Sequence, residues 1–204
     1  MGRSWGRRGD GLSAAPRILA FAGSTREESY NKKLVRIGAD AARAAGGDVT
    51  LIDLRDYAMP VFDEDLETRD GLPEGARRFR DLMVAHDALL ISAPEYNSSI
   101  SGVLKNTIDW ASRQRPGERP LACFSGKVAG LMAASPSWRG GIRGLVTVRS
   151  ILGNIEVLVL PEQVMLVKAH EAFDERGQLK DAKQQAHVEK LAKKLVTITG
   201  KLKA

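Results

Sequence analysis

The sequence predicts an α/β fold in which helices cover both faces of a parallel sheet. Two observations support this prediction. Short apolar runs alternate with longer segments whose apolar residues recur at helical spacing, and the run at 87–93 is almost continuously apolar. A strand of that kind is typical of a sheet buried on both faces. Alternation at this pitch favours parallel strands joined by right-handed helical crossovers.

The predicted strands are short and are bounded by polar or glycine-rich turns. We place them at 17–22, 48–54, 87–93, 127–134 and 157–160, with an extension through 164–167 left open. Helices are predicted between and after them at about 31–45, 74–86, 101–113, 142–152 and 179–199, and 57–71 is expected to be an irregular acidic connection. Five strands in this arrangement predict a flavodoxin-like three-layer sandwich with strand order 2-1-3-4-5.

The length of 204 residues favours a single domain, which we place at 17–204. Residues 1–16 are rich in Gly, Arg and Ser without periodicity, and we expect a disordered basic extension there. The net charge of +6 lies in this extension and in a lysine-rich segment at 178–204, so the rest of the chain is close to neutral. We therefore expect no nucleic-acid partner. The basic charge of the two terminal segments is the only feature of the sequence that favours nucleic-acid binding.

No segment has the length and apolar character of a membrane span, and no apolar block resembling a secretory signal follows the first arginines. The single cysteine, Cys123, excludes an intrachain disulfide and is expected to be a bystander rather than a redox centre. These features predict a cytoplasmic protein without a membrane partner. The three histidines are scattered without ligand spacing, so we predict no metal.

The loop after the first strand, 23–31, predicts a phosphate site. It lacks G-x-G-x-x-G but offers hydroxyls at Ser24 and Ser29, the Arg26 guanidinium and the Asn31 amide at the start of a helix. Free backbone N–H groups at a helix start suit a phosphate, and Arg26 adds charge-assisted hydrogen bonds. The alternative is that Ser29 merely caps the helix.

The loop after the third strand, 94–102, predicts a site for a flat ring. Pro94 directs the chain out of the strand, Tyr96 offers an aromatic face, and Asn97 offers amide hydrogen bonds to a heterocycle. Glu95 is either a general base or, as we favour, a structural acceptor, and we assign no catalytic side chain. Both loops follow strands that are neighbours in the predicted sheet, so the phosphate site and the ring site should lie side by side. A phosphate site beside a site for a flat ring predicts FMN.

The two loops also carry a family resemblance. The patterns G-S-x-R-x-x-S-x-N and P-E-Y-N-x-S-x-x-G-x-L-K-N-x-I-D-W resemble the NADPH-dependent FMN reductase family, which includes quinone, chromate and azo-dye reductases. The similarity extends over about 17–160, including the loop at 135–141. It implies an FMN site formed by Ser24, Arg26, Ser29, Tyr30, Asn31, Pro94, Glu95, Tyr96, Asn97, Ser135 and Gly140.

The resemblance implies hydride transfer from NADPH or NADH to bound FMN, followed by reduction of a quinone, free flavin, azo compound or chromate. It also implies a homodimer or homotetramer. The alternative from another class is an FMN-binding electron carrier or redox-sensing module that does not use NAD(P)H. The chain departs from many relatives at Ser101, where proline is common and where we expect serine to cap the helix. It also departs at Ser137, and the neighbouring Trp138 adds bulk to the third loop.

Overall fold

A computed structural model describes residues 14–203 and shows strands alternating with helices along the chain. The strands are β1 Arg17–Ala22, β2 Asp48–Ile52, β3 Ala88–Ser92, β4 Glu95–Tyr96, β5 Ser99–Ile100, β6 Val128–Ala134 and β7 Leu158–Leu166. The helices are α1 Tyr30–Ala44, α2 Glu64–Asp70, α3 Glu74–Ala85, α4 Gly102–Ser112, α5 Ile142–Asn154, α6 Ala169–Ala172 and α7 Ala182–Lys203, with a 3₁₀ helix at Leu54–Tyr57.

The main sheet has five parallel strands in the order β2-β1-β3-β6-β7. Alternate residues of each strand enter two separate cores. Ile18 and Ala20 of β1 pack with α1 and α7 on one face, whereas Leu19 and Phe21 pack with α3, α4 and α5 on the other. The period of two along a strand produces this division. The predicted three-layer fold and its strand order are confirmed.

The connection predicted to be irregular contains ordered helical structure. A 3₁₀ turn opens at Asp53, and α2 begins after Asp63, whose carboxylate accepts hydrogen bonds from the N–H groups of Asp65 and Leu66. The prediction of an irregular segment over 57–71 was therefore wrong in part. Helix α2 is short and has no buried residue, so it lacks the apolar periodicity by which helices are recognised.

The first described residues and the end of α7 lie at the end of the sheet opposite to the strand carboxyl ends. The Pro16 carbonyl accepts a hydrogen bond from Asp48 N–H (3.0 Å), extending the β1-β2 ladder by one step. Residues 1–13 lie outside the described part of the chain, and with them most of the expected basic extension. Between residues 14 and 203, no helix combines the length and apolar character needed to cross a membrane.

Candidate cofactor site

A cavity of about 380 Å³ opens at the carboxyl ends of β1, β3 and β6. In open α/β sheets ligands bind at this edge, where crossovers leave the sheet on opposite faces. The cavity is lined by Arg26, Ser29, Tyr30, Asn31, Pro94, Glu95, Tyr96, Ala134, Ser135 and Pro136. A groove of about 450 Å³ runs between α1 and α7 but contains none of the predicted residues. We therefore place the candidate site at the strand ends.

Helix α1 starts at the cavity with an open N-terminus. Ser29 is its N-cap residue, and within the described chain the Ser29 hydroxyl makes no capping hydrogen bond. The first N–H groups of a helix have no intrahelical acceptor, so those of Tyr30 and Asn31 remain available to an anion. The structure therefore does not support the alternative in which the Ser29 side chain only caps α1.

The rest of the first loop is held by hydrogen bonds between side chains and the backbone. Ser24 is buried, and its hydroxyl accepts a hydrogen bond from Arg26 N–H (3.2 Å). Arg55 Nε donates to the Thr25 carbonyl (2.8 Å), which fixes the loop from the side of β2. Ser24 therefore shapes the loop but does not line the cavity.

Arg26 and Tyr30 form the outer wall of the cavity. The Arg26 guanidinium lies over the Tyr30 ring, 5.3 Å from its centroid. Phe173 stacks on Tyr30 with parallel rings and a centroid distance of 6.3 Å. This segment after β7 thus supports the first loop through a contact between distant parts of the chain, which carries no local sequence signal.

Asn31 is buried beneath the cavity. Its Nδ2 donates to the Ala134 carbonyl (2.9 Å), and its Oδ1 accepts from Ala134 N–H (3.0 Å) and from the Ser92 hydroxyl (2.8 Å). The predicted residue therefore lines the cavity, but its side-chain amide is engaged by the ends of β3 and β6.

The second loop contains a β-hairpin. Strands β4 and β5 pair antiparallel, and the two residues between them, Asn97 and Ser98, have φ of 49° and 67°. Positive φ at both positions is typical of a type I′ hairpin turn. Pro94 is buried, Tyr96 is half exposed at 55%, and Asn97 lies at the exposed tip. Asn97 therefore lies outside the cavity lining, and its contact with a bound ring stays a prediction.

Glu95 connects the hairpin to α5. Its Oε2 accepts hydrogen bonds from the N–H groups of Arg143 (2.9 Å) and Gly144 (3.2 Å). Its Oε1 accepts from Arg143 Nε (3.2 Å). The carboxylate thus caps the N-terminus of a helix that begins after Gly141, which has no side chain to do so. This arrangement agrees with the structural acceptor favoured from the sequence.

Ser101 joins the second loop to the first. Its hydroxyl accepts a hydrogen bond from Leu104 N–H (3.2 Å), which caps α4, and donates to the Gly23 carbonyl (2.5 Å). The expectation that α4 survives replacement of proline by serine is confirmed. The bond to Gly23 is one that proline cannot make.

The third loop forms the remaining rim. The Ser135 hydroxyl accepts from Ser137 N–H (3.2 Å), and Ser135 and Pro136 line the cavity. Gly140 and Gly141 have φ of 60° and 87°. A Cβ at Gly141 would lie 2.7 Å from Cβ of Ala133, so the close turn requires glycine there. Gly140 is buried behind the rim and does not line the cavity.

Groups with shifted pKa values lie away from the cavity. Burial raises the pKa of the Cys123 thiol and lowers the pKa of Lys127, which precedes the opposite end of β6. Within residues 14–203 no group of three or more His, Cys, Asp or Glu side chains is arranged to hold a metal ion. The cavity therefore offers hydroxyls, backbone N–H groups, one guanidinium and an aromatic wall, which suits an anionic, partly aromatic molecule.

Comparison with known proteins identifies the family. A family model described as NADPH-dependent FMN reductase matches residues 16–171. The chain belongs to this family. An NAD(P)H-dependent FMN reductase from Pseudomonas aeruginosa is 39% identical over 168 residues, covering 82% of this chain and 86% of the relative. A quinone reductase from Pseudomonas putida is 33% identical over 188 residues, covering 89% and 95%.

A solved structure agrees with this assignment to the NADPH-dependent FMN reductase family. The flavoenzyme NAD(P)H:(acceptor) oxidoreductase FerB from Paracoccus denitrificans superposes with a TM-score of 0.75 at 26% identity, covering 91% of this chain and 98% of that chain. This member of the family is thus an oxidoreductase that uses FMN and NAD(P)H.

Proposed function

We propose that the cavity binds FMN with its phosphate at the start of α1 and its ring against the β4-β5 hairpin. The observation that carries the proposal is the uncapped N-terminus of α1, with the Ser29 hydroxyl free of intrachain bonds in the described structure, facing the same cavity as Pro94 and Tyr96. Ser29 and the N–H groups of Tyr30 and Asn31 hold the phosphate. Arg26 supplies the positive charge.

The proposed ring site uses the backbone of the hairpin and the rim of the third loop. Pro94, Glu95 and Tyr96 line one wall and Ser135 the other. Because Glu95 is occupied as the cap of α5, it contributes its backbone rather than its carboxylate. Ser24, Asn97 and Gly140 support the loops without lining the cavity. FMN supplies the redox chemistry when bound, and the protein supplies position and electrostatics.

We propose a quinone as the electron acceptor, with free flavin, azo compounds and chromate as further candidates. A relative 33% identical to this chain is named quinone reductase, which supports the first choice. We further propose one FMN-binding domain over 17–204, a homodimer or homotetramer, and a cytoplasmic location. Size-exclusion chromatography with light scattering tests the oligomer, and fractionation of the source cells tests the location.

An anaerobic visible spectrum of the FMN-reconstituted protein tests the proposed function. We expect NADPH or NADH to bleach the protein-bound flavin, and a quinone to restore its colour. Bound flavin that stays oxidised with both nucleotides would favour an electron carrier or a redox sensor. Failure to bind FMN would refute the cavity assignment.

A further inference from the structure

The main sheet has a gap in its hydrogen bonding directly below the cavity. Ala93 N–H donates to the Met132 carbonyl (2.8 Å), which is the last step of the β3-β6 ladder. Pro94 has no N–H, and the chain turns away there into the β4-β5 hairpin. The N–H and C=O of Ala134, two residues beyond Met132, face the same side because orientation alternates along a strand. The ladder therefore leaves these two groups without a neighbouring strand.

The side chain of Asn31 fills this gap. Its amide both donates to and accepts from the Ala134 backbone, at 2.9 and 3.0 Å, as a peptide group of a neighbouring strand would. Because the Ala134 N–H can only donate and its C=O can only accept, the backbone itself assigns the two ends of the amide. The Ser92 hydroxyl donates the third hydrogen bond of the amide, which is the second one to Oδ1 (2.8 Å). Asn31 is only 4% exposed.

We propose that Asn31 is a positioning residue that acts through its side chain on both halves of the cofactor site, rather than a phosphate ligand through that side chain. The residue stands in the first turn of α1, whose N–H groups face the proposed phosphate. Its amide fixes that turn to Ser92 of β3, two residues before Pro94 of the ring loop. It also fixes the turn to Ala134, the residue before Ser135 of the rim. The inference rests on the proposed FMN site.

The chemistry of the amide supports this reading. The Oδ1 atom accepts two hydrogen bonds, and an oxygen acceptor offers nothing favourable to a phosphate oxygen. The buried backbone groups of Ala134 would lose their partners without the amide, which is costly for polar groups out of contact with water. Three hydrogen bonds thus hold the side chain to the ends of β3 and β6, while the backbone N–H of Asn31 stays available to the ligand.

Affinities for two flavins distinguish positioning from phosphate binding. Riboflavin has the ring of FMN without its phosphate. For Asn31→Ala we expect the Kd values of FMN and riboflavin, measured by flavin fluorescence quenching, to rise by a similar factor of roughly ten, because lost buried hydrogen bonds displace both halves of the site. A rise for FMN alone would make the amide a phosphate ligand and overturn the proposal. Unchanged Kd values for both flavins would overturn it too.

A matched control separates positioning from general stability. Asn106 on α4 makes the same kind of two-sided bond, accepting from Phe62 N–H (2.8 Å) and donating to the Pro60 carbonyl (2.9 Å), and it does not line the cavity. Asn106→Ala is expected to lower the melting temperature while leaving both Kd values unchanged. An equal loss of flavin affinity in Asn106→Ala would show that Asn31 affects flavin binding only through the general stability of the protein, and would overturn the proposal.

Ser92→Ala keeps the proposal testable if Asn31→Ala does not fold. It removes one donor to the Asn31 oxygen and leaves both bonds to Ala134. We expect a smaller rise in both Kd values, about two- to fivefold, since one of three hydrogen bonds is lost. No change for either flavin would overturn the proposal. Wild-type protein that does not bind FMN would instead refute the proposed function.

Discussion

Glu95 and Arg143 are joined by two hydrogen bonds that connect the second loop of the candidate site to the start of α5. The Glu95 carboxylate accepts from the backbone N–H of Arg143 at 2.9 Å and from its Nε at 3.2 Å. The carboxylate side chain is 11% exposed, whereas the Arg143 side chain is 50% exposed. The contact therefore combines a helix cap with a partly buried ion pair. It holds the β4-β5 hairpin against the start of α5.

This relationship predicts that Glu95 serves stability and not proton transfer. We expect Glu95→Ala to lower the free energy of unfolding by about 1–2 kcal/mol through loss of the cap. Glu95→Gln keeps one acceptor oxygen and should lose less. In stopped-flow measurements, flavin reduction by NADPH should stay within a few-fold of wild type in Glu95→Gln. A loss of several orders of magnitude with FMN still bound would assign Glu95 to the chemistry.

Asp63 offers a matched cap for this experiment. Its carboxylate accepts from Asp65 N–H (2.9 Å) and Leu66 N–H (3.3 Å) at the start of α2, and it does not line the cavity. Asp63→Ala is expected to lower stability without changing the affinity for FMN. Comparing it with Glu95→Ala separates the loss of a helix cap from a displaced hairpin, because only the latter should weaken flavin binding.

Ser29 is predicted to contribute to phosphate binding alone. Its hydroxyl makes no capping bond within the described chain, so Ser29→Ala should leave the melting temperature of the apo-protein unchanged. The Kd of FMN should rise about tenfold through loss of one charge-assisted hydrogen bond, and that of riboflavin should not change. Ser29→Thr, which keeps a hydroxyl, should restore part of the affinity. An equal effect on both flavins would contradict the assignment.

Much of the fold follows from local patterns in the sequence. The apolar run of β3 reflects burial on both faces of the sheet, and the helical spacing of Leu34 and Ile37 reflects burial of one face of α1. Both patterns can be recognised from residues close together in the chain. The strand order also follows, since few topologies join five parallel strands by four right-handed crossovers. Helix α2 escaped prediction because it buries no residue. It is held by its Asp63 cap and not by an apolar face.

The sequence predicts which loops form the candidate site, but it does not predict which side chains are hydrogen-bonded to each other there. Position at a strand end predicts which loops meet, and the cavity confirms that loops 23–31, 94–102 and 135–141 meet. The partners of individual side chains depend on pairs far apart in sequence. Asn31 with Ala134 and Glu95 with Arg143 are such pairs. Asn97 lies outside the cavity lining because the I′ turn places it at the tip of a hairpin, and the spacing of residues 94–102 predicts only a loop there.

The hydrogen bonds of the Asp87 carboxylate predict that the protein loses stability in acid. It accepts from Arg17 N–H (2.8 Å) and from Lys203 Nζ (2.6 Å), tying β1 and the end of α7 together. Burial acts to raise the pKa of Asp87, but hydrogen bonds from Arg17 and Lys203 outweigh it and hold the pKa well below its usual range. A lowered pKa gives stability that is present above the unfolded pKa of about 4 and is lost as pH falls below it.

Urea unfolding of Asp87→Asn across pH measures this contribution. The wild type should exceed the variant by about 1–2 kcal/mol from pH 5 to pH 8, and the difference should shrink steadily below pH 4. Asp70 is the control, because its pair with Arg69 (2.7 Å) is exposed and screened by solvent, and Asp70→Asn should behave as wild type. A difference for Asp87→Asn that persists unchanged at pH 2.5 would contradict the mechanism.

Trp138 is predicted to govern the second half of the reaction, in which the acceptor is reduced. Its indole is 72% exposed on the third loop, two residues from Pro136 of the cavity lining, and the Arg139 guanidinium lies 4.4 Å from the ring centroid. An exposed indole beside a proposed flavin site offers a stacking surface to a flat acceptor. Trp138→Ala should therefore raise the KM for a quinone three- to tenfold, about 0.5–1.5 kcal/mol.

The choice of acceptor makes this prediction specific. Ferricyanide has no aromatic face, so its KM should not change in Trp138→Ala, and anaerobic reduction of the flavin by NADPH should proceed at the wild-type rate. Leu202→Ala removes an apolar side chain that is 62% exposed near the end of α7, remote from the cavity, and should change none of these values. Equal increases in KM for quinone and ferricyanide would show that the loop controls access to the site and that the indole does not stack on the acceptor.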